Sequence, residues 1–249
     1  MKKLICLILV VFLFLAAGCG RKGSVPGDSN PKDIIPEPKT PVVVEKEISL
    51  DEIVSNIKQL GETLVSFKGV LEISVDFNGF SEAQQYKLWY SGDSRYRMEW
   101  ETAAEGMTIT VFDGDNLWNY ITEGNLAYVM SADIEFQQSE TFFQDLFAYL
   151  QDPEEYYSFS YQGMDKVDGR QAYILEITSK SYDFDEALLT WWVDAKTWFP
   201  FKAETEIGGM TTTVLYLDFV LNPALNDEVF TFIAPDGAQV IDMNDLLFR

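Results

Sequence analysis

The sequence predicts a mainly β (α+β) chain whose centre is a strongly curved antiparallel sheet of about eleven strands, too many to stay flat without curling. Three observations predict it. Apolar and polar residues alternate with period two through segment after segment, and pairs such as Asp113-Gly114, Gly124-Asn125 and Gly208-Gly209 part those segments at hairpin spacing. Two other stretches repeat apolar residues at helical spacing, so each carries a stripe that needs an apolar surface to lie on. Strands between Gly106 and Met130 also carry bulk on both faces, in Phe112, Trp118, Tyr120 and Tyr128, so the sheet there needs cover on its second side.

Residues 1–18 have the parts of an export signal: Lys2-Lys3, an apolar run from Leu4 to Leu15, then Ala16, Ala17 and Gly18. The run falls below the roughly 20 residues that span a bilayer, which makes it a leader rather than a transmembrane anchor. The ending Ala16-Ala17-Gly18-Cys19 resembles the lipobox of prokaryotic lipoproteins, with Leu15 one place early. That resemblance implies lipidation of Cys19 and a location on the extracytoplasmic face of the cell membrane; an ordinary secretory signal is the alternative. Acyl chains contribute about 0.8 kcal/mol per buried methylene, enough for a multiply acylated cysteine to hold the chain at the membrane. Residues 19–47, with Pro26, Pro31, Pro36, Pro38 and Pro41 among polar residues, read as a disordered tether.

The folded body is expected over 48–249. Ser49 with Glu52 reads as a capping box, Ile48 with Ile53 as a hydrophobic staple, and Ile53, Ile57, Leu60 and Leu64 as the stripe of a helix ending near Lys68-Gly69. Leu71 to Phe77, Tyr86 to Tyr90, Tyr96 to Trp100 and the three strands between Gly106 and Met130 then form a six-strand meander. Between Ala132 and Glu155 the period changes. Phe142, Phe143, Leu146, Phe147 and Leu150 share a helical face, and Asp152-Pro153 starts a further helical turn. This insertion reads as a plug at one end of the sheet or as a lid. Strands return at Tyr157 to Tyr161, Tyr173 to Ile177, Leu189 to Val193, Trp198 to Ile207 and Thr211 to Leu221.

Composition limits the chemistry. The chain has 249 residues, 47% of them hydrophobic, enough for one large core. Its 18 Lys+Arg against 40 Asp+Glu give a net charge of -22, or -24 once Lys2 and Lys3 leave with the leader. So acidic a surface repels phosphates, and no nucleic-acid partner is expected. Histidine is absent, which excludes Ser-His-Asp and Cys-His catalysis and imidazole metal ligation. Cys6 and Cys19 belong to the leader and its end, leaving the mature body without a thiol. Carboxylates remain, in Asp113 with Asp115, Asp152 with Glu154 and Glu155, and Asp183 with Asp185 and Glu186. They read as a turn, a helix start and a solvated loop rather than a glycosidase pair or a calcium loop. No catalytic residue, metal or cofactor is expected, and the chain is read as non-enzymatic.

Two motifs resemble a known family. Asp113, Gly114, Leu117, Trp118 and Tyr120 match its turn-and-strand motif, and Phe230-Thr231-Phe232-Ile233-Ala234-Pro235-Asp236-Gly237-Ala238-Gln239-Val240 is similar to its closing Phe-x-Phe-x-x-Pro-x-Gly-x-x-Val. The chain from about Ser49 to Asp242 looks like the LolA/LolB-like lipoprotein carriers, and the resemblance implies a half-open β-barrel covered by helices that holds acyl chains. One departure is that the arginine with which soluble carriers latch their lid falls at Gly92 here, with Arg95 and Arg97 only nearby. The implied ligand is a lipid or acylated protein in an apolar cavity lined by Trp89, Trp100, Trp118, Tyr120, Phe142, Phe147 and Trp191, unless these aromatics close-pack into a dry core. The alternative is a docking lipoprotein that uses the sheet's outer face or an edge to hold an exported protein partner, such as a cell-envelope or sporulation enzyme.

Overall fold

The computed structural model describes residues 48–92, 94–131, 150–180 and 188–247. The leader, Cys19, the tether, Phe142, Phe147 and the acidic stretch from Asp183 to Glu186 lie outside them.

Helix α1 (Leu50–Thr63) starts where expected, with Ser49 in extended conformation and its hydroxyl accepting the Glu52 amide at 3.2 Å. It buries Ile53, Val54, Ile57 and Gly61. Gly61 serves packing: a Cβ there would stand 2.4 Å from the backbone carbon of Leu150, so the chain segments touch main chain to main chain. The helix ends at Thr63, short of the Lys68-Gly69 boundary that apolar spacing predicts. Asn222, in the left-handed region at φ 55, sets that end. Its Nδ2 donates to Thr63 O at 3.1 Å, and its Oδ1 accepts from Val65 N at 2.8 Å and Ser66 N at 3.3 Å. The next residues therefore leave the helix and enter the sheet.

Twelve strands form one sheet in the order β12-β6-β5-β4-β3-β2-β1-β11-β10-β9-β8-β7. The first meander comprises β1 (Ser66–Phe77), β2 (Phe80–Ser91), β3 (Tyr96–Thr102), β4 (Gly106–Phe112), β5 (Asn116–Ile121) and β6 (Leu126–Ser131). The second comprises β7 (Tyr157–Val167), β8 (Arg170–Ser179), β9 (Leu188–Asp194), β10 (Pro200–Ile207) and β11 (Met210–Leu221). Pairing of the two longest-range partners, β1 and β11, from Phe67↔Leu221 to Phe77↔Met210 joins the meanders into one curved, unclosed sheet. A twelfth strand, β12 (Gln239–Asp242), pairs with β6 in parallel and is not marked by alternation in the sequence. Short helices α2 (Pro153–Tyr156) and α3 (Met243–Leu247) complete the described chain; Pro153 opens α2 at its first position, as expected.

The main core lies between α1 and one face of the sheet, hereafter the inner face. Ile53, Ile57, Leu64 and Leu150 meet Phe67, Leu71, Leu88, Tyr90 and Tyr96 from the first meander and Leu175, Ile177, Trp191, Val193 and Phe199 from the second. Phe67 is its hub, with ring centroids 5.4 Å from Phe199, 5.5 Å from Tyr216 and 6.3 Å from Phe219. Burial pushes the Tyr96 phenol up to about 12 and raises that of Tyr216 further. The Tyr216 hydroxyl is buried and has no hydrogen-bond partner among the described residues.

Gly61→Ala is expected to cost about 2 kcal/mol through overpacking against Leu150, measured by urea denaturation. That is opposite in sign to the roughly 1 kcal/mol gain the same change gives in an open helix interior. Tyr96 and Tyr216 keep their protons when folded at a pH where the unfolded chain, with phenols near 10, has lost them. The unfolded state then binds fewer protons, and stability falls as pH rises from about 10 towards 12. Thermal melts across that range are expected to show the fall, and Tyr96→Phe to flatten it. Tyr216→Phe removes an unpaired buried hydroxyl and is expected to stabilise the fold by about 1 kcal/mol.

Candidate functional site

Directly opposed residues of an antiparallel ladder share a face, so the registers sort each strand residue to the inner or the outer side. From β3 to β6 the inner side consists of three cross-strand rows: Tyr96, Phe112, Leu117 and Met130; then Met98, Thr110, Asn119 and Tyr128; then Trp100, Thr108, Ile121 and Leu126. Tyr86 of β2 extends this surface, with its ring centroid 5.7 Å from that of Trp100. Burial first, and Glu82 second, raise the Tyr86 phenol. Met98, Phe112, Leu117, Ile121, Leu126, Tyr128 and Met130 are half-buried, the first three packed against the core under α1, while Tyr96, Trp100, Thr108 and Thr110 in the same rows are buried. The surface runs out to the β1–β2 hairpin tip, where Phe77 and Phe80 oppose one another and are 45% and 54% exposed.

The outer side of the same strands is partly covered by the chain itself, Ile109, Trp118 and Val129 staying half-buried. Residues 223–238 form a strap across it: Phe230 is 2% exposed, and the Phe232 ring lies 5.2 Å from Trp118 and 5.6 Å from Tyr120. Val111, Tyr120 and Ala127 are buried on this side, so it holds a second, smaller core. The Gly124-Asn125 turn anchors the strap. Asn125, at φ 44, accepts the Tyr120 hydroxyl at 2.8 Å, and its carbonyl accepts Gln239 N at 2.9 Å at the start of β12. Arg95 pairs with Asp227 at 2.9 Å and lies 5.0 Å over the Phe230 ring, while Arg97, paired with Glu99, donates to Val229 O at 3.5 Å. The two arginines near Gly92 thus hold the outer strap.

The residues expected to line one cavity are distributed over both faces. Trp100 and Trp191 lie on the inner side, Trp191 edge-on to Tyr157 at 5.7 Å. Trp89 lies on the outer side between Lys68 and Arg97, and Trp118 and Tyr120 lie there under the strap. Phe142 and Phe147 are outside the described residues. The signal was parity: in β2, Trp89 alternates with Leu88 and Tyr90, and the Asp113-Gly114 hairpin sets Trp118 against Val111 rather than Phe112. Residue size guided the expectation where position in the pleat decides the face.

The carboxylates of the described residues occupy structural places. Asp113 Oδ1 accepts from the amides of Asp115 at 2.9 Å and Asn116 at 2.7 Å, which fixes the β4–β5 turn. Asp152 lies 3.6 Å from Lys58. Asp194, buried, accepts from Lys196 N, Thr197 N and Thr197 Oγ1 in the β9–β10 turn. No group of three metal-ligating side chains occurs among the described residues, and none of their helices is long and apolar enough to cross a membrane. A recess of about 230 Å³ opens between α1 and β7, but its lining mixes Leu50, Val54, Tyr157 and Phe159 with Asp51, Glu154 and Lys180.

Comparison with known proteins gives remote likenesses. No family model matches the chain. An uncharacterized protein of Methanocaldococcus jannaschii is 26% identical over 196 residues, which is 79% of this chain and 55% of the relative. The chain therefore spans about half the length of the curated relative it matches. An uncharacterized conserved protein of Thermus thermophilus superposes with a TM-score of 0.49 and 11% identity over 77% of this chain and 98% of that one. A LolA superfamily protein of Nitrosomonas europaea gives 0.36 and 15% identity over 75% of this chain and 99% of that one. The described sheet is twelve-stranded, curved and unclosed, and no residue role is carried across at these identities.

Proposed function

We propose that this chain is an extracytoplasmic lipoprotein, held at a membrane by acylated Cys19, whose inner sheet face receives the acyl chains of a lipid or an acylated protein. The observation that carries the reading is the difference between the two faces of β3 to β6. The strap around Phe230 and Phe232 covers part of the outer face, whereas on the inner face Met98, Phe112, Leu117, Leu126 and Met130 are only partly buried, beside the buried Tyr96, Trp100, Thr108 and Thr110. Apolar rows left open beside a packed core are the kind of surface that ligands with hydrocarbon chains fill. Lys2-Lys3, the run from Leu4 to Leu15 and the Ala16-Ala17-Gly18-Cys19 ending support the anchor. Asp113 and Asp194 are engaged in their turns and Asp152 pairs with Lys58, and the reading is non-enzymatic.

A second reading rests on a different observation. Val65, Leu217 and Val220 are exposed along the β1–β11 seam, with Val220 on the outer side opposite Lys68. An exported protein docking there would use the sheet as a platform and leave the inner face idle.

Native mass spectrometry of the purified full chain, with organic extraction of what it carries, separates the two. Acyl binding predicts about one non-covalent acyl species per chain and uptake of a fluorescent fatty acid after delipidation. A chain that copurifies no lipid and takes up no fatty acid overturns acyl binding, and a single protein recovered by crosslinking through Val220 would then favour docking. Cys19→Ala is expected to move the protein from the membrane fraction to the soluble extract and to leave uptake unchanged; retention at the membrane would overturn the anchor.

A further inference from the structure

The inner face of β3 to β6 is apolar along its first row and interrupted by three polar side chains in the next two. Thr110 and Asn119 stand opposite each other, with Asn119 Nδ2 donating to Thr110 Oγ1 at 3.0 Å. Thr108 shares their face, between Trp100 on β3 and Ile121 on β5. It is 2% exposed, and its Oγ1 has no hydrogen-bond partner among the described residues. Strand propensity and packing do not ask for a hydroxyl here, because valine has the same branched shape and an equal preference for strands. Valine would also avoid the desolvation cost of an unpaired buried hydroxyl. Unlike the Tyr216 hydroxyl in the main core, this one stands beside the polar Thr110–Asn119 pair, where an acceptor brought by a ligand would pair it.

We propose that Thr108, with the Thr110–Asn119 pair beside it, forms a polar rung that hydrogen-bonds the carbonyl oxygen of an acyl ester or amide. The inference rests on the reading of the inner face as an acyl site and specifies its ligand: an amphiphile with a carbonyl at the head of its chain, not a plain hydrocarbon. The rows supply the geometry. Tyr96, Phe112, Leu117 and Met130 give the hydrocarbon an apolar bed, and the rung follows along the strands, the Thr110–Asn119 pair one row further and Thr108 two. The Thr108 hydroxyl donates to the carbonyl, and Asn119 keeps a second amide N–H for the same acceptor or its neighbour.

Two probes on the purified, delipidated full chain test this: a pyrene-labelled fatty acid methyl ester and a pyrenyl alkane of equal length without the carbonyl. In Thr108→Val, ester affinity is expected to fall about fivefold to tenfold, alkane affinity to stay within about twofold, and the melting temperature of the empty protein not to fall. Thr108→Ser, which keeps the donor, is expected to bind the ester as the wild type does. Equal loss for both probes, or an unchanged ester affinity in Thr108→Val, overturns the rung while acyl binding stands. Should the valine variant not fold, loss of ester preference in Thr108→Ser with wild-type alkane binding overturns it equally. A wild-type chain that binds neither probe overturns acyl binding and the rung together.

Discussion

A single sheet that is apolar on both sides must find cover for each, and the fold is arranged around that requirement. From β7 to β11, at the start of β1, at the end of β2 and at the start of β3, the inner side packs in one core with α1 and Leu150, with Phe67 bridging the two meanders. From β3 to β6 the outer side is partly covered by the strap, which brings Phe230 and Phe232 over Val111, Trp118 and Tyr120. Each fully buried aromatic of this kind stabilises the fold by roughly 1.5–3 kcal/mol relative to exposure, so both covers are substantial. Among the described residues, the inner side of the strands that the strap backs keeps seven half-buried apolar side chains beside the buried Tyr96 and Trp100. Its position opposite a second core makes it stiff, since β3 to β6 are packed from behind before any ligand arrives.

The seam between β1 and β11 is where this arrangement is fixed. Asn222, just past the end of β11, caps α1, starts β1 and donates its own backbone N–H to Ser66 O. A single side chain thus couples the helix covering the inner core to the strand pairing that merges the meanders. The wide sheet follows from that pairing, and so does an inner face that extends beyond the part α1 covers.

Much of this was legible in the sequence. Eleven strands follow from alternation and from turn residues whose backbone the structure places at positive φ, such as Asn125 and Gly114. The start of α1 was written in Ser49, and the need for cover on both faces in Phe112, Trp118 and Tyr120. Three features were not legible, each for a non-local reason. The end of α1 depends on Asn222, far along the chain. Strand β12 is four residues long and gains its partner β6 through a parallel pairing that leaves no hairpin signal. The closing Phe230-Thr231-Phe232 motif marks family resemblance in sequence, but its role as the outer strap needs the register of β5 to be known. The candidate site suffered differently: Trp89, Trp118 and Tyr120 were grouped with Trp100 by size, although alternation within their own strands already separates them. In a pleated sheet a shift of one residue changes the face, and bulk is no guide to it.

The central claim, that acyl chains lie on the inner face and the strap keeps them from the outer one, is tested most directly by depth-dependent quenching. Two variants retain a single tryptophan each, Trp100 on the inner side or Trp118 under the strap, with the others replaced by phenylalanine. Loaded with a fatty acid brominated along its chain, the Trp100 protein is predicted to lose most of its fluorescence and the Trp118 protein to keep it. Equal quenching of both, or quenching of Trp118 alone, would contradict the account.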